Sequence, residues 1–394
     1  MTHQLDVVIF GGGIAGLWTL AVLTDAGYRA ALLESATLGG VQSIASQGII
    51  HGGTKYALGG VLTDSAKAIG DMPRVWRECL EGRGDVDLRR VRVLSAHQYL
   101  WSTRSLTSRL AGFFAGQLMQ SRMRSVPAPE RPELFSGGWL DGDLYRLDEP
   151  VLDVPSLMAA LALRVGASCY QADPDKVQLD PARPGRIRLD TPDGACLLEA
   201  QRLVLCAGAG NAAILGRLGR DTPPMQRRPL HMVMVRGRLP QVYAHCLGAS
   251  TTPRLTISSY ALDDGECAWY LGGQVAESGV ERDEAGQIAA ARAELDALLP
   301  SVDWGLARYA TLRVDRAERA TADGRRPEQA FVGSERGVIT VWPTKLAFAP
   351  RVARWVRDAL QQEAVLPTPG PVEPLPLPTP PLALPPWEAV PRWS

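Results

Sequence analysis

Residues 5–34 read LDVVIFGGGIAGLWTLAVLTDAGYRAALLE, and this stretch decides the fold. It opens with a short apolar strand, Leu5 to Phe10, which runs directly into a glycine-rich turn. Apolar residues at helical spacing follow from Ala15 to Ala26, and Gly27 suits the position just past a helix end. A second apolar strand, Arg29 to Glu34, completes the unit. The order strand, glycine turn, helix and strand over about 30 residues predicts a βαβ unit with two parallel strands.

The turn carries the pattern Gly11-x-Gly13-x-x-Gly16. The first glycine permits a tight turn, the second lets a pyrophosphate approach the main chain, and the third lets helix and strand pack closely. The N-terminus of the helix offers free N–H groups to phosphates, and Glu34 at the end of the second strand suits a ribose 2′-hydroxyl. The pattern predicts a dinucleotide site. The alternative is a glycine-rich turn in another kind of α/β protein.

Composition narrows the class of protein. A chain of 394 residues normally forms more than one globular unit. Lys+Arg and Asp+Glu are equal at 42 each, so no overall charge favours binding to nucleic acid. Six scattered cysteines form no CxxC pair, which predicts neither disulfides nor a metal site. We find no signal peptide and no apolar run of the ~18–20 residues that a membrane span requires, so the expected location is cytoplasmic.

The rest of the chain alternates between helical and strand-like patterns. The segment 101–124 has an amphipathic, basic helical pattern, which favours either a cap over a site or docking onto a membrane surface or a partner protein. From residue 365 the chain is rich in proline and predicts an extended tail without a core. The other predicted helices lie at 64–80, 151–167, 283–299 and 351–361. Strands are predicted within 177–199, reversed at residues 192–194, within 203–211, where a strand runs into a glycine turn, and within 337–350, where a strand leads to the helix at 351.

Four separated segments resemble one enzyme family. They are VVIFGGGIAGLWTLAVLTDAGYRAALLE at the start, SIASQGIIHGGTKYALG at Ser43–Gly59, RLVLCAGAGN at Arg202–Asn211 and TKLAFAPRVARWV at Thr344–Val356. Together they are similar to the FAD-dependent oxidoreductases that include D-amino-acid oxidase, glycerol-3-phosphate dehydrogenase and L-2-hydroxyglutarate oxidase. The first segment is shared with many flavoproteins, whereas the second and fourth narrow the choice. The chain departs from the family at Trp342-Pro343, where proline cannot donate a main-chain N–H to the flavin.

The resemblance implies an α/β fold with a Rossmann-like FAD-binding domain, interleaved with an α+β substrate domain that contains a mainly antiparallel sheet. The expected FAD-binding domain comprises residues 1–80, 149–226 and 325–364, and the expected substrate domain 81–148 and 227–324. FAD is expected to bind non-covalently. The residues expected to contact it are Gly11, Gly13, Ile14, Ala15, Gly16, Glu34, Ser43, Ser46, Gln47, Gly48, Ile50, Gly52, Val177, Ala207, Gly208, Thr344, Lys345 and Leu346.

Three residues are candidates for catalysis. His51 suits a base that accepts a hydroxyl proton, because a neutral imidazole exists near pH 7; the alternatives are that it only packs on the flavin or attaches it covalently. Lys345 offers positive charge to the reduced flavin. Arg313 resembles the family's late arginine and would bind an acidic or phosphorylated substrate, with Arg316 as its rival and a solvated surface arginine as the alternative for each.

These residues predict an FAD-dependent dehydrogenase or oxidase acting on a CH–OH group, as in a 2-hydroxy acid or a glycerol phosphate. An amino-acid or secondary-amine oxidase is the first alternative, and a flavin-binding subunit without turnover of its own is the second. The electron acceptor is expected to be oxygen, a quinone or a carrier protein. Tyr260 and Tyr270 are candidate pocket hydroxyls, whereas His231 alternates with apolar residues and is interpreted as structural.

Overall fold

The computed structural model describes residues 2–52, 69–102, 123–140, 142–248 and 252–394. Within these ranges the strands are β1 (Thr2–Phe10), β2 (Ala30–Glu34), β3 (Val93–Ser95), β4 (Gln98–Trp101), β5 (Met123–Ser125), β6 (Leu144–Leu147), β7 (Val151–Leu152), β8 (Cys169–Gln171), β9 (Val177–Leu179), β10 (Arg186–Thr191), β11 (Gly194–Leu205), β12 (Met225–Gly237), β13 (Ala244–Cys246), β14 (Leu255–Ala261), β15 (Cys267–Gly272), β16 (Arg308–Arg319), β17 (Phe331–Glu335) and β18 (Val338–Trp342). The helices are α1 (Ile14–Asp25), α2 (Met72–Leu80), α3 (Glu133–Ser136), α4 (Val154–Val165), α5 (Gly210–Arg217), α6 (Gln274–Glu277), α7 (Glu284–Leu298), α8 (Ala349–Gln362) and α9 (Pro386–Ala389).

The first sheet has the order β17-β18-β11-β1-β2-β8, and β9 and β10 extend it beside β11. Its central strands β18, β11, β1, β2 and β8 run parallel. Most of β1 is buried, because helices pack on one face and a second apolar cluster covers the other. Burial on both faces explains why its sequence is apolar without alternation. Helices α1, α4 and α8 pack together on one face.

The second sheet has the order β16-β12-β15-β14-β13-β4-β6-β5. Its neighbouring strands are antiparallel, except that β13 and β4 run parallel. Helix α7 packs on one face, and Asp283 begins this helix by accepting a hydrogen bond from Gly286 N–H over 2.8 Å. We call the first sheet with the helices packed on it the first unit, and the second sheet with its helices the second unit. The opposite face of the second sheet packs through Met232 and Tyr270 against Ala45 of the first unit. A Rossmann-like parallel sheet beside a mainly antiparallel one confirms the predicted fold class.

The two sheets draw on alternating stretches of the chain. Strands of the first sheet come from residues 2–34, 169–205 and 331–342, and those of the second from 98–147 and 225–319. Strands β10 and β11 form a hairpin at Gly194, which has a φ of +111°, as the turn signal predicts. One detail differs: β11 is a single strand rather than two, because it pairs with β10 on one side and β1 on the other.

The predicted basic helix at 101–124 is wrong at both ends. Trp101 closes β4 and Arg124 lies in β5, while residues 103–122 between them lie outside the described residues. The predicted helix at 64–80 is present as α2 from Met72, and its residues 64–68 are likewise outside the described part of the chain. No helix in the described ranges has the length and apolar character to cross a membrane.

The proline-rich C-terminal segment is not a tail without contacts, which corrects the prediction for residues 365–394. Leu375 packs into a cluster of the first unit and Trp387 into one of the second. The carbonyls of Pro378 and Pro381 accept hydrogen bonds from Gln171 and Leu38 over 2.7 and 2.8 Å. Proline lacks an N–H but keeps its carbonyl, so such a segment can still bond to the rim of a folded unit. The segment therefore contacts both units.

Candidate active site

The turn after β1 brings two glycines against neighbouring main chain. Gly11 has a φ of +101°, a conformation that favours glycine. A Cβ atom built on Gly11 would lie 2.5 Å from the Cα atom of Ala207, and one built on Gly16 would lie 1.9 Å from the carbonyl oxygen of Gly11. A side chain at either position must therefore displace backbone. These glycines allow β1, α1 and the turn after β11 to approach closely.

The N-terminus of α1 lies beside polar atoms from two other segments. The N–H of Ile14 donates to Ser43 Oγ over 2.9 Å. Glu34, at the end of β2, accepts from Gly12 N–H over 2.6 Å and from Ala36 N–H over 2.9 Å. A helix N-terminus suits phosphate, and a carboxylate at the end of the second strand suits the hydroxyls of a ribose. Both features of a dinucleotide site are therefore in place.

A cavity of about 640 Å³ extends from this turn to the second sheet. The segments after β1, β2, β11 and β18 form one side, and β12 and β16 contribute to the other. The cavity wall contains most of the residues that the sequence assigns to cofactor binding: Gly11, Gly13, Ile14, Ala15, Glu34, Ser43, Ser46, Gln47, Val177, Ala207, Gly208, Thr344, Lys345 and Leu346.

Four residues assigned to the cofactor lie behind this wall instead. Gly16 holds α1 against the turn, as described above. Gly48 and Ile50 form main-chain hydrogen bonds of 2.9 and 3.0 Å with the segment Pro150–Leu152. Gly52 donates its N–H to a buried carboxylate that is described below. These four residues shape the wall, and their assignment as direct contacts is not supported by their positions.

The segment after β18 forms a constrained turn in the cavity wall. The carbonyl of Pro343 accepts a hydrogen bond from Lys345 N–H over 2.6 Å. Thr344 between them has a φ of +63°, which is unusual for a β-branched residue. Such strained positions cluster at functional sites. The ammonium of Lys345 lies 5.3 Å from the ring centre of Phe348, so this candidate cation is held beside the start of α8.

Two arginines of β16 lie on opposite faces of the second sheet. They are three residues apart, and side chains alternate along a strand. Arg313 is exposed and donates to the carbonyls of Val280 and Arg282 over 2.7 and 2.5 Å. Arg316 lines the cavity, with 19% of its side chain exposed. Of the two candidate arginines, the structure therefore places Arg316 and not Arg313 in the cavity wall.

Arg316 keeps its charge in this half-buried position. Burial lowers the pKa of Arg316 to about 10, and the nearby positive charge of Arg228 contributes to the same shift. Glu277 opposes this shift, with its Oε1 atom 3.4 Å from Arg316 Nη2. A pKa of about 10 leaves the guanidinium protonated near neutral pH. The cavity wall therefore carries a cation that suits an anionic group of a ligand.

His51 lies just beyond the cavity wall, four residues after Gln47. Its Nδ1 atom is 3.5 Å from Glu149 Oε2 and 3.4 Å from Gln98 Nε2. Its ring centre is 5.2 Å from that of His245 on β13. The remainder of the predicted motif, residues 53–59, lies outside the described residues. The structure brings His51 together with a buried carboxylate and a second imidazole.

Hydrogen bonds connect this cluster to the cavity wall. Gln47 lines the cavity and donates its amide to the carbonyls of Thr256 and Tyr270 over 3.2 and 2.8 Å. The hydroxyl of Thr256 is 2.8 Å from His245 Nδ1, and the His245 ring faces His51. Gln47 of the cavity wall is therefore linked to His51 through contacts with Thr256 and His245.

Two tyrosines of the second sheet point toward the first unit. Tyr260 and Tyr270 are buried, and neither hydroxyl has a hydrogen-bond partner within the described residues. Burial raises the pKa of both phenols, so they stay protonated near neutral pH. Both lie in the apolar cluster that contains Met232, a cavity-wall residue. His231 lies on the other face, with Nδ1 3.0 Å from the carbonyl of Gly279, in a structural position.

Comparison with known proteins decides the family. The model of the DAO family, described as FAD dependent oxidoreductase, matches residues 6–358. The chain belongs to this family. A probable FAD-dependent oxidoreductase of Pseudomonas aeruginosa is 49% identical over 390 residues, which cover 97% of each chain. The DAO-family resemblance predicted from the four segments is therefore confirmed, and the protein is an FAD-dependent oxidoreductase.

Solved structures of DAO-family proteins share the fold. A crystal structure of the FAD dependent oxidoreductase from Pseudomonas aeruginosa has a TM-score of 0.84 at 44% identity and covers 98% of each chain. The structure of glycine oxidase from Geobacillus kaustophilus has a TM-score of 0.64 at 20% identity, and the match covers 91% of this chain and 95% of that one. The structure of L-α-glycerophosphate oxidase from Mycoplasma pneumoniae, solved with FAD bound, has a TM-score of 0.63 at 12% identity. This match covers 94% of this chain and 97% of that one.

The residues of this oxidoreductase fit FAD. The hydroxyl of Ser46 is buried in the cavity wall without a hydrogen-bond partner among the described residues, so it is available to a polar ligand. A Cβ atom on Gly13 would lie 3.1 Å from Ser43 Oγ, which shows how little room the turn leaves between the helix N-terminus and the cavity. Glu34 offers acceptors for a sugar hydroxyl. The wall thus supplies donors for phosphate at one end and a cation, Lys345, at the other.

Sequence reasoning did not single out the residues that surround His51. Glu149, Gln98 and His245 surround His51, yet they come from three segments far apart in the chain. Nothing in the local sequence marks Glu149, which lies in an irregular stretch before Pro150. Arg316 had already been named as the rival of Arg313. Because side chains alternate along β16, one residue of this strand known to face the cavity would have been enough to choose between the two arginines.

Proposed function

We propose that the protein oxidises a CH–OH group of a small anionic substrate, such as a 2-hydroxy acid or a glycerol phosphate. The observation that carries this proposal is the pairing of His51 with the buried carboxylate of Glu149. An alcohol loses its hydroxyl proton when it is oxidised, and an imidazole is suited to accept that proton near neutral pH. A neutral amine needs no strong base, so a paired histidine favours the alcohol.

The chemistry divides between cofactor and protein. FAD, when bound, would supply the acceptor for a hydride from the substrate. In this proposal His51 accepts the proton of the hydroxyl oxygen while the carbon that bears it gives up a hydride, so that the CH–OH group becomes a carbonyl. Lys345 supplies positive charge where reduction makes the flavin ring more negative. The apolar side chains Leu230 and Met232, which line the cavity, exclude water from the reacting atoms.

Arg316 supports the anionic character of the proposed substrate. Its guanidinium lines the cavity and stays charged near neutral pH, although burial lowers its pKa to about 10. An anion that enters the cavity needs a cationic partner, because a buried charge without one is costly. A planar guanidinium can bind carboxylate or phosphate through two parallel hydrogen bonds. Arg316 therefore acts as the substrate anchor in this proposal.

We further propose that FAD is held without a covalent bond. Cys206 is the cysteine in the described part of the cavity wall. Burial raises the pKa of its thiol to about 12, so the thiol is protonated and is a poor nucleophile near neutral pH. Acid precipitation is expected to release yellow flavin into the supernatant. Flavin that stays with the precipitate would refute this part of the proposal.

The alternative of a flavin-binding subunit rested partly on a free C-terminal tail. That segment instead packs on its own chain, with Trp387 stacked on Tyr260 at 3.8 Å between ring centres. This packing removes the tail as a reason to expect a partner protein. The electron acceptor stays a prediction: oxygen, a quinone or a carrier protein.

Anaerobic reduction of the bound flavin tests the proposed substrate class. The holoprotein is mixed with 2-hydroxy acids, glycerol phosphates, neutral alcohols, amino acids and secondary amines, and loss of the yellow colour is followed. We expect bleaching by an anionic alcohol and much weaker bleaching by neutral alcohols. Bleaching by amines alone would contradict the proposal, and bleaching by no compound class would favour the subunit alternative. Reoxidation by oxygen or a soluble quinone then distinguishes the electron acceptors.

A further inference from the structure

Two segments form the part of the cavity wall next to Glu34. Strand β8 pairs with β2, and Ala172, one residue past β8, donates its N–H to the main-chain carbonyl of Glu34 over 2.9 Å. The chain then makes a single helical turn, Pro174–Lys176, before β9 begins. Helix α5 supplies the second segment. The wall residues here are Ala172, Pro174, Val177 and Leu179 on the first segment and Ala213, Ile214 and Arg217 on α5.

This part of the wall suits the adenine of FAD. The N-terminus of α1 suits the phosphates and Glu34 suits a ribose, so the base that this ribose carries belongs beside Glu34. Most side chains of the two segments are apolar, and an apolar wall suits the flat face of a purine. Arg217, the last residue of α5, is the exception in this set.

Arg217 connects α5 to both ends of the helical turn. Its Nη1 atom donates to the carbonyl of Pro174 over 3.1 Å, and its Nη2 atom donates to the carbonyl of Val177. Within the turn, Pro174 also accepts the N–H of Val177, and Asp173 accepts the N–H of Asp175 over 3.0 Å. A turn this short is weakly held by its own hydrogen bonds. The planar fork of a guanidinium can bind two acceptors at once, so Arg217 fixes the turn relative to the helix.

We propose that Arg217 is a positioning residue for the adenine half of FAD: it holds the turn Pro174–Lys176 against α5 and so shapes the wall that receives the base. A site that is ordered before its ligand arrives avoids the entropic cost of ordering during binding. The inference concerns the affinity for the cofactor and does not depend on the substrate class proposed above. FAD contains adenine and FMN does not, so the two flavins separate this role from a general effect on the fold.

The affinities of the apoprotein for FAD, FMN and ADP test the proposal. Arg217→Met keeps a long unbranched side chain and removes both donors. The flavin is stripped from native and variant protein, and the quenching of tryptophan fluorescence is followed while FAD or FMN is added. We expect the Kd for FAD to rise about 10-fold, the size of effect that the loss of one or two hydrogen bonds produces, and the Kd for FMN to stay the same. An unchanged Kd for FAD, or equal rises for both flavins, would overturn the proposal.

ADP provides a probe that does not depend on the flavin ring, because it contains only the adenine half of the cofactor. Its binding is measured by calorimetry with the same apoproteins. The Kd for ADP should rise in Arg217→Met by about the same factor as the Kd for FAD. Equal affinity of native and variant protein for ADP would also overturn the proposal.

Arg220, three residues after Arg217, provides the matched control. It too donates to two main-chain carbonyls, those of Glu335 and Arg336, over 2.7 and 2.8 Å. However, it lines a separate cavity of about 340 Å³. Arg220→Met is expected to leave the affinities for FAD, FMN and ADP unchanged. If Arg220→Met weakened FAD as much as Arg217→Met did, the effect would belong to the stability of α5, and the proposed role of Arg217 would be wrong.

Amide hydrogen exchange in the native protein tests the same part of the wall without a substitution. We expect saturating FAD or ADP to slow exchange in residues 172–179, and saturating FMN to leave it unchanged. Equal exchange in this segment with and without FAD would overturn the proposal even if Arg217→Met failed to fold. None of these outcomes bears on the substrate class, which the anaerobic reduction experiment tests separately.

Discussion

The two ends of the cavity differ in the chemical groups that line them. At the cofactor end, consecutive residues from Gly11 to Ile14 and the end of β2 present main-chain groups and one carboxylate. At the end proposed to bind the substrate, the wall consists of side chains such as Met232 and Arg316 from separate strands of the second sheet. The identity of the cofactor is therefore encoded in a short stretch of sequence. The identity of the substrate depends on strand register and on contacts between distant segments.

The cofactor end should not tolerate even a methyl group. Gly11→Ala places a Cβ atom 2.5 Å from Ala207 Cα in a conformation that disfavours L residues. We expect the purified variant to be colourless, because the turn must open to relieve the overlap. Gly265→Ala is the matched control: its φ is +80° and no atom lies within 4 Å of the added Cβ. That variant should lose about 1 kcal/mol of stability and keep its flavin.

The last residues of the chain pack against the second sheet. Trp387 is 6% exposed and stacks on Tyr260, so Trp387→Ala leaves a cavity beside the second sheet. The expected loss of unfolding free energy is about 3 kcal/mol, seen as a lower thermal midpoint of the holoprotein. Trp393→Ala, at a half-buried position in the same segment, should lose clearly less. Equal losses would show that the stack adds nothing specific.

Substitutions of Arg316 and Arg313 test which of the two cations binds the substrate. Arg316→Gln removes the cation from the cavity wall, whereas Arg313→Gln removes an exposed cation from the opposite face of the same strand. We expect KM for an anionic substrate to rise at least about 30-fold in Arg316→Gln, equivalent to ~2 kcal/mol, and to change little in Arg313→Gln. Flavin binding should be the same in both variants. The reverse pattern would restore Arg313 as the anchor.

The contrast between the two ends also explains what the sequence could predict. The βαβ unit and the residues of its turn follow from local patterns, because strand, glycines and helix are adjacent in the chain. The choice between Arg313 and Arg316 required the register of β16 against β12, which local patterns do not contain. Glu149 could not be found from local patterns, since it lies near His51 only after the residues between β6 and β7 have packed against the His51 segment. The C-terminal segment was misjudged because its carbonyls, together with the N–H groups of non-proline residues such as Ala383, form hydrogen bonds with the rest of the chain.

The central claim is that His51 serves as the base in alcohol oxidation. A 2-hydroxy acid and the amino acid with the same carbon skeleton are mixed anaerobically with native protein and with His51→Gln, and the rate of flavin reduction is measured by stopped flow. The account predicts rapid reduction of the native flavin by the hydroxy acid and a rate about 10²- to 10⁴-fold lower in His51→Gln at equal flavin content. Equal rates in the two proteins, or reduction by the amino acid alone, would contradict it.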